Sequence, residues 1–292
     1  MAQGTFVSHP SLLPASSSSQ VDGAAALRRM LMARTTFGHR AEDRHDLDAL
    51  GYQGWLAGQL DPPSVSDSAL DSRLAGYPWM GMDAASLRQA YGGGGWRLSE
   101  ESKAVRILRA VHSKRQLFER VVELWNDHFN VPFTAQDANY LRPVYEESVI
   151  RRHAMGDFPS LLNAVAQSPA MGAYLDQDSN RAGQPNENYA RELLELHTLG
   201  EGNGYTEQDV REVARCFTGW TYVRHWEPGE FGTFRFDATA YDPGTKLVLG
   251  QTIQPAGRLD GLRVLRMLAL DPRTARFVSA KLVRWFLGDA AA

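Results

Sequence analysis

Pro185-Asn186-Glu187-Asn188-Tyr189-Ala190-Arg191-Glu192-Leu193-Leu194-Glu195-Leu196-His197-Thr198-Leu199-Gly200 reads as one helix of about four turns. Asn186 supplies the N-cap, Glu187 an acid at the positive end of the helix dipole, and Gly200 the C-terminal stop. At about 100° per residue, Asn188, Glu192 and Glu195 share one stripe with Arg191 beside it, while Ala190, Leu193 and His197 lie roughly opposite. Acids and imidazole therefore occupy different faces. The Glu-x-x-His spacing of di-iron bundles and the His-Glu-x-x-His spacing of zinc peptidases are both missing from this helix. It can form only part of a site, and the remaining groups must come from elsewhere.

Helical periodicity continues in both directions. Leu, Met, Ala and Trp recur at helical spacing over 22–34 and 44–60, and Pro62-Pro63 stops the second run. Weaker pieces follow at 66–75 and 83–90. Gly92 to Gly95 then reads as a hinge or bend, because it lacks the Gly-Lys-Ser/Thr end of a phosphate loop. Ser99 opens a long stretch to about Phe129, with a break near Ser113. Further helices are expected over 135–154, 159–167 and 169–175, and Thr206 with Asp209 forms a capping box for another. From Gly219 the aromatics Trp220, Tyr222, Trp226, Phe234 and Phe236 switch to strand-like alternation, which suits a hairpin sealed against helices better than a row of sugar platforms. Helical spacing returns over 260–270 and 272–287. The expected fold is mainly α, a multi-helix globular bundle with a small β-hairpin insertion near 219–250. Residues 1–21 are expected to form a disordered lead and 22–292 a single helical domain.

A chain of 292 residues with 43% hydrophobic and 22% charged residues can bury a sizeable core. The net charge of −3 and the mixed-sign surface argue against nucleic acid and anionic membrane as partners. No membrane span is visible. Neither is a basic segment followed by an apolar run, so a cytoplasmic location is expected, with an extracytoplasmic one retained if the N-terminus is incomplete. Cys216, the lone cysteine, rules out a disulfide within the chain and reads as a small buried apolar residue.

The other half of a site is sought at Asp127 and His128. His128 falls in the apolar arc of Leu117, Val121, Leu124 and Trp125, with Asp127 flanking it. A buried imidazole needs a partner, and it serves either as a satisfied core histidine or as a catalytic group. In the enzyme reading, hydrolytic or metal-assisted, Asp127, His128, Glu192 and Glu195 are the catalytic candidates. Asn188, Arg191 and His153 are the substrate-binding candidates, although His153 also suits the negative end of its helix. His128 and Glu192 are the candidate ligands of a divalent metal whose identity the sequence leaves open, as it leaves open a small-molecule or polymer substrate. The alternative is a non-enzymatic binding or assembly module, with a protein partner and a buried polar network that only fixes helix packing.

Several segments together resemble the bacterial domain of unknown function 1800 family. They include Leu31-Met32-Ala33-Arg34-Thr35-Thr36-Phe37-Gly38, Trp55-Leu56-Ala57-Gly58-Gln59-Leu60 and Leu124-Trp125-Asn126-Asp127-His128-Phe129. Arg152-His153-Ala154-Met155-Gly156-Asp157-Phe158, the Asn186 to Gly200 helix and Phe217-Thr218-Gly219-Trp220 follow in the order of the family. The resemblance implies a mainly helical protein without naming a reaction. It also implies that many relatives are exported and associated with a second uncharacterised protein. Where relatives usually carry His-Asp before Gly and Lys, this chain has Tyr241-Asp242-Pro243-Gly244-Thr245-Lys246, and tyrosine is a poor replacement for imidazole on a divalent metal. Relatives continue with further helices after the segment resembling Ala280 to Leu287, so the C-terminal part of the family pattern is expected to be missing.

Overall fold

The computed structural model describes residues 20–38, 40–133 and 137–288. The expected lead over 1–21 therefore lies, up to residue 19, outside the described residues. Thirteen α-helices and two small antiparallel hairpins make up the regular structure of the described residues, with short 3₁₀ and π segments between them. The fold is mainly α, with the hairpin element where the aromatic alternation places it.

Helices α1 (Gln20–Thr35) and α2 (Ala41–Leu60) enclose a small core of Leu31, Met32, Leu47 and Trp55. The main core runs through α3 (Ser68–Leu74), α4 (Ala84–Tyr91), α5 (Gly95–His112), α6 (Gln116–His128), α7 (Ala138–Tyr145), α8 (Phe158–Ala166) and α9 (Pro169–Tyr174). It continues through α10 (Asn188–Glu192), α11 (Glu207–Cys216), α12 (Leu259–Ala269) and the start of α13 (Pro272–Leu287). Short polar side chains start these helices. Asp83, Asp157, Ser168 and Asp271 accept backbone N–H bonds of their first turns, and Thr206 and Asp209 form the expected reciprocal box. Each such cap is worth roughly 1 kcal/mol. Ser113 separates α5 from α6, and its hydroxyl donates to Asp67 Oδ2 at 2.5 Å.

Two expectations are corrected here. The Gly92 to Gly95 run forms a 3₁₀ turn, Gly92–Gly94, leading straight into α5, which thus begins at Gly95 rather than Ser99. The Tyr140 hydroxyl donates to the Gly92 carbonyl, and a Cβ on Gly95 would lie 3.0 Å from that hydroxyl and 3.1 Å from Asn139, so glycine permits a close packing contact. The Asn186 to Gly200 helix is α only over Asn188–Glu192 and π over Leu193–Thr198. A second π segment, Glu146–Arg151, extends α7. The aromatic hairpin pairs β1 (Trp220–Tyr222) with β2 (Phe234–Phe236) in the register Trp220 to Phe236. A second hairpin, β3 (Lys246–Val248) with β4 (Gln251–Ile253), has no counterpart in the sequence reading.

Candidate functional site

The N-cap of the α segment is Glu187 rather than the expected Asn186, whose side chain instead accepts the Asn188 N–H at 3.0 Å from the preceding turn. The other end of the central helix closes on Gly200 at φ +92°, where the Leu199 and Gly200 N–H groups both reach the Leu194 carbonyl. Widening to π geometry removes ordinary i to i−4 bonds. Thr198 compensates by donating its hydroxyl to the Leu193 carbonyl at 2.6 Å. Tyr189, Ala190, Leu193, Leu194 and His197 are buried, while Asn188 is exposed and Arg191, Glu192 and Glu195 are half-buried.

Arg191 organises the open face. Its guanidinium makes a two-pronged contact with Glu207 at 2.9 and 2.7 Å and reaches Glu195 at 3.5 Å and Glu187 at 3.4 Å. The hydrogen bonds it donates to Glu207 are the main reason that the arginine holds its proton more firmly than usual. Glu192 differs from these acids. Burial first, and then the charge of Glu195, raise its carboxyl above the ordinary glutamate range, only partly countered by Arg191. The Tyr205 phenol lies against Glu195 and is raised first by burial and then by that carboxylate.

Asp127 and His128 do not complete this face. His128 is buried, with Nε2 3.1 Å from the His197 carbonyl and Nδ1 2.9 Å from Lys281 Nζ. An ammonium can only donate and a carbonyl can only accept, so the ring is neutral, carries its proton on Nε2 and has no free nitrogen. Burial, followed by the charge of Lys281, holds it well below the usual histidine range. Lys281 also donates to the Leu196 carbonyl at 3.4 Å. Together they cap the negative end of the π segment. Asp127 points to solvent, with Lys281 as its charge neighbour. Neither Glu192 nor Glu195 is among the hydrogen-bond partners or shifting charges of His128. His153 is half-buried beside Asp157. Cys216 is buried, and burial pushes its thiol up to about 12.

Three polar clusters escaped the sequence reading because their members are distant in the chain. Arg151 clasps Glu119 at 2.7 and 2.8 Å, Arg142 joins Glu146, Asn126 and the Val131 carbonyl, and Arg109 pairs with Glu147. Two narrow clefts adjoin this network, each with room for little more than a water molecule, and paired charges already fill their walls. At the second cluster, Lys246 and Asp260 form a fully buried ion pair at 2.9 Å. The third places His225 Nδ1 2.9 and 3.1 Å from the two Asp137 oxygens.

A family model described as a protein of unknown function (DUF1800) matches residues 30–292. The chain belongs to the DUF1800 family. No curated protein and no solved structure matches it. Within this family frame, Tyr241 stands where imidazole was expected, and its hydroxyl donates to Asp260 Oδ2 at 2.7 Å beside Lys246. The next residue, Asp242, is gripped by Arg215 at 2.8 and 3.2 Å. The family-like Phe217-Thr218-Gly219-Trp220 turn also has a steric explanation. Gly219 lies at φ +83°, and a Cβ there would sit 2.5 Å from the Asp237 carbonyl oxygen.

Proposed function

We propose that the face formed by Asn188, Arg191, Glu192 and Glu195 is an acid–base site for hydrolysis. The observation that supports this reading is the unequal treatment of two carboxyls on one helix turn. Burial and the neighbouring Glu195 bias Glu192 toward its protonated form, while Glu195 is the carboxyl that pairs with Arg191, at 3.5 Å. Glu192 then gives its proton to the leaving atom as the scissile bond breaks. Glu195 takes a proton from the water whose oxygen bonds to the substrate, and exchange with solvent restores both groups. Asn188 and Arg191 are the groups that orient the substrate.

The metal-assisted version has weaker support in the donor set. Both His128 nitrogens are engaged, and no group of three or more His, Cys, Asp or Glu side chains among the described residues converges as metal ligands. A binding or assembly role is the second reading. It is favoured by His128, which acts on the helix end rather than on an open cleft.

The test combines titration with turnover. Carbon-13 NMR of carboxyl-labelled glutamate should find Glu192 titrating above the ordinary glutamate range and falling part of the way back in Glu195→Gln. Hydrolysis of a panel of chromogenic esters and glycosides should drop about 100-fold or more in Glu192→Gln and in Glu195→Gln, with folding retained. Ordinary titration of Glu192, or turnover unchanged by both variants, refutes the reading.

A further inference from the structure

The β1–β2 connection holds an aromatic residue that packing does not use. Trp220 and Tyr222 are buried and Phe234 and Phe236 half-buried, but Trp226 is 66% exposed. Its indole has fixed surroundings. The His225 ring stands perpendicular to it with centroids 4.5 Å apart, and the Arg224 guanidinium carbon lies 5.9 Å from the ring centre. Asp137 fixes His225 in turn, accepting from Nδ1 and leaving Nε2 without a hydrogen bond to any described residue.

The charges around this ledge cancel. Arg88 faces Asp137 at 3.7 Å, Arg224 bonds Asp178 at 2.7 Å and Glu227 at 3.2 Å, and Arg235 bonds Glu227 at 3.1 Å. Three guanidiniums thus meet three carboxylates. An anionic ligand would have to displace a carboxylate already in place, and a cation an arginine. A neutral ligand with a flat C–H face and a rim of hydroxyls meets neither obstacle. Its face can cover the exposed indole, and its hydroxyls can donate to His225 Nε2 and to the carboxylates.

The geometry points to Trp226 and His225 as a binding site for a pyranose ring of an oligosaccharide. This site goes beyond the acid–base reading and does not depend on it. Nitrogen-15 spectra of the seven tryptophan indoles, recorded during titration with cellohexaose, chitohexaose and maltohexaose, test it directly. At least one sugar should shift the Trp226 resonance saturably, with binding about tenfold weaker in Trp226→Ala. His225→Asn keeps a donor for Asp137 but removes Nε2, and it should weaken binding several-fold without loss of fold. Trp96, 69% exposed on α5, is the control, and Trp96→Ala should bind as the wild type does. No saturable shift with any of the three sugars at up to about 10 mM overturns the proposal, as does binding that Trp226→Ala leaves unchanged or that Trp96→Ala weakens equally. Glu192→Gln leaves this ledge intact, so sugar binding there is scored separately from hydrolysis.

Discussion

Lys246→Met should destabilise the protein by about 3–5 kcal/mol, the usual cost of stripping one partner from a buried ion pair. Both side chains are 0% exposed. Asp260 accepts Lys246 Nζ at 2.9 Å, the Tyr241 hydroxyl at 2.7 Å and the Ala256 N–H at 2.8 Å. The variant keeps the two neutral donors but leaves the buried carboxylate with only the half-exposed Arg263, 4.0 Å away, as a countercharge. Asp260→Leu alone should cost a similar amount, because it strands the Lys246 ammonium against Tyr241 and the Asp242 carbonyl. In the Lys246→Met/Asp260→Leu double variant no buried charge remains. The loss then reduces to the hydrogen bonds of Tyr241 and Ala256, roughly 1 kcal/mol each, so the double variant should be more stable than either single one. Urea unfolding followed by circular dichroism gives all four corners of this cycle. Single losses that simply add in the double variant, or a Lys246→Met stability within about 1 kcal/mol of the wild type, would refute the coupling of this pair.

Two further outcomes concern acid and backbone. His128 and His197 both titrate below the usual histidine range, His197 lowered to about 3, mainly by burial. The unfolded chain therefore takes up these protons first, so their contribution is complete above about pH 6.5 and is lost as pH falls toward 3, by up to about 1.4 kcal/mol per pH unit for each histidine. His197→Phe should flatten the fall in urea stability between pH 7 and 5, and an unchanged slope would contradict this account. Gly219→Ala, which forces a Cβ against the Asp237 carbonyl at φ +83°, should cost more than about 2 kcal/mol, and a thermal midpoint equal to the wild type would show that the turn relaxes freely.

The helical body was legible because it follows local rules. The Thr206–Asp209 box, the Ser168 cap before Pro169 and the break at Ser113 each need only a few adjacent residues. The π geometry was not legible. A wheel assumes constant rotation, whereas Thr198 and the donors from His128 and Lys281 favour a wider turn after Glu192. The separation of acids from His197 survives because the outward stripe starts in the α segment. Asp127 and His128, adjacent in sequence, part company in the fold. Adjacent positions on a helix project about 100° apart, and here His128 turns into the core while Asp127 is exposed. His128 finds its partners 69 and 153 residues away, and His225 finds Asp137 at a separation of 88. No sequence period encodes such contacts.

The two halves sought in the sequence do meet, though in a mechanical sense. His128 reaches the carbonyl of His197, and Lys281 reaches that of Leu196, the residue immediately after Glu195. These donors hold the end of the segment on whose other face the carboxylates stand. A neutral imidazole suits that task, since beside the Lys281 ammonium a protonated ring would lose its acceptor nitrogen and add a like charge. The depressed titration of His128 then follows from its place in the fold and is no mark of proton transfer. In the acid–base reading the chemistry belongs to Glu192 and Glu195, with His128 and Lys281 as positioning groups that fix the backbone beneath them.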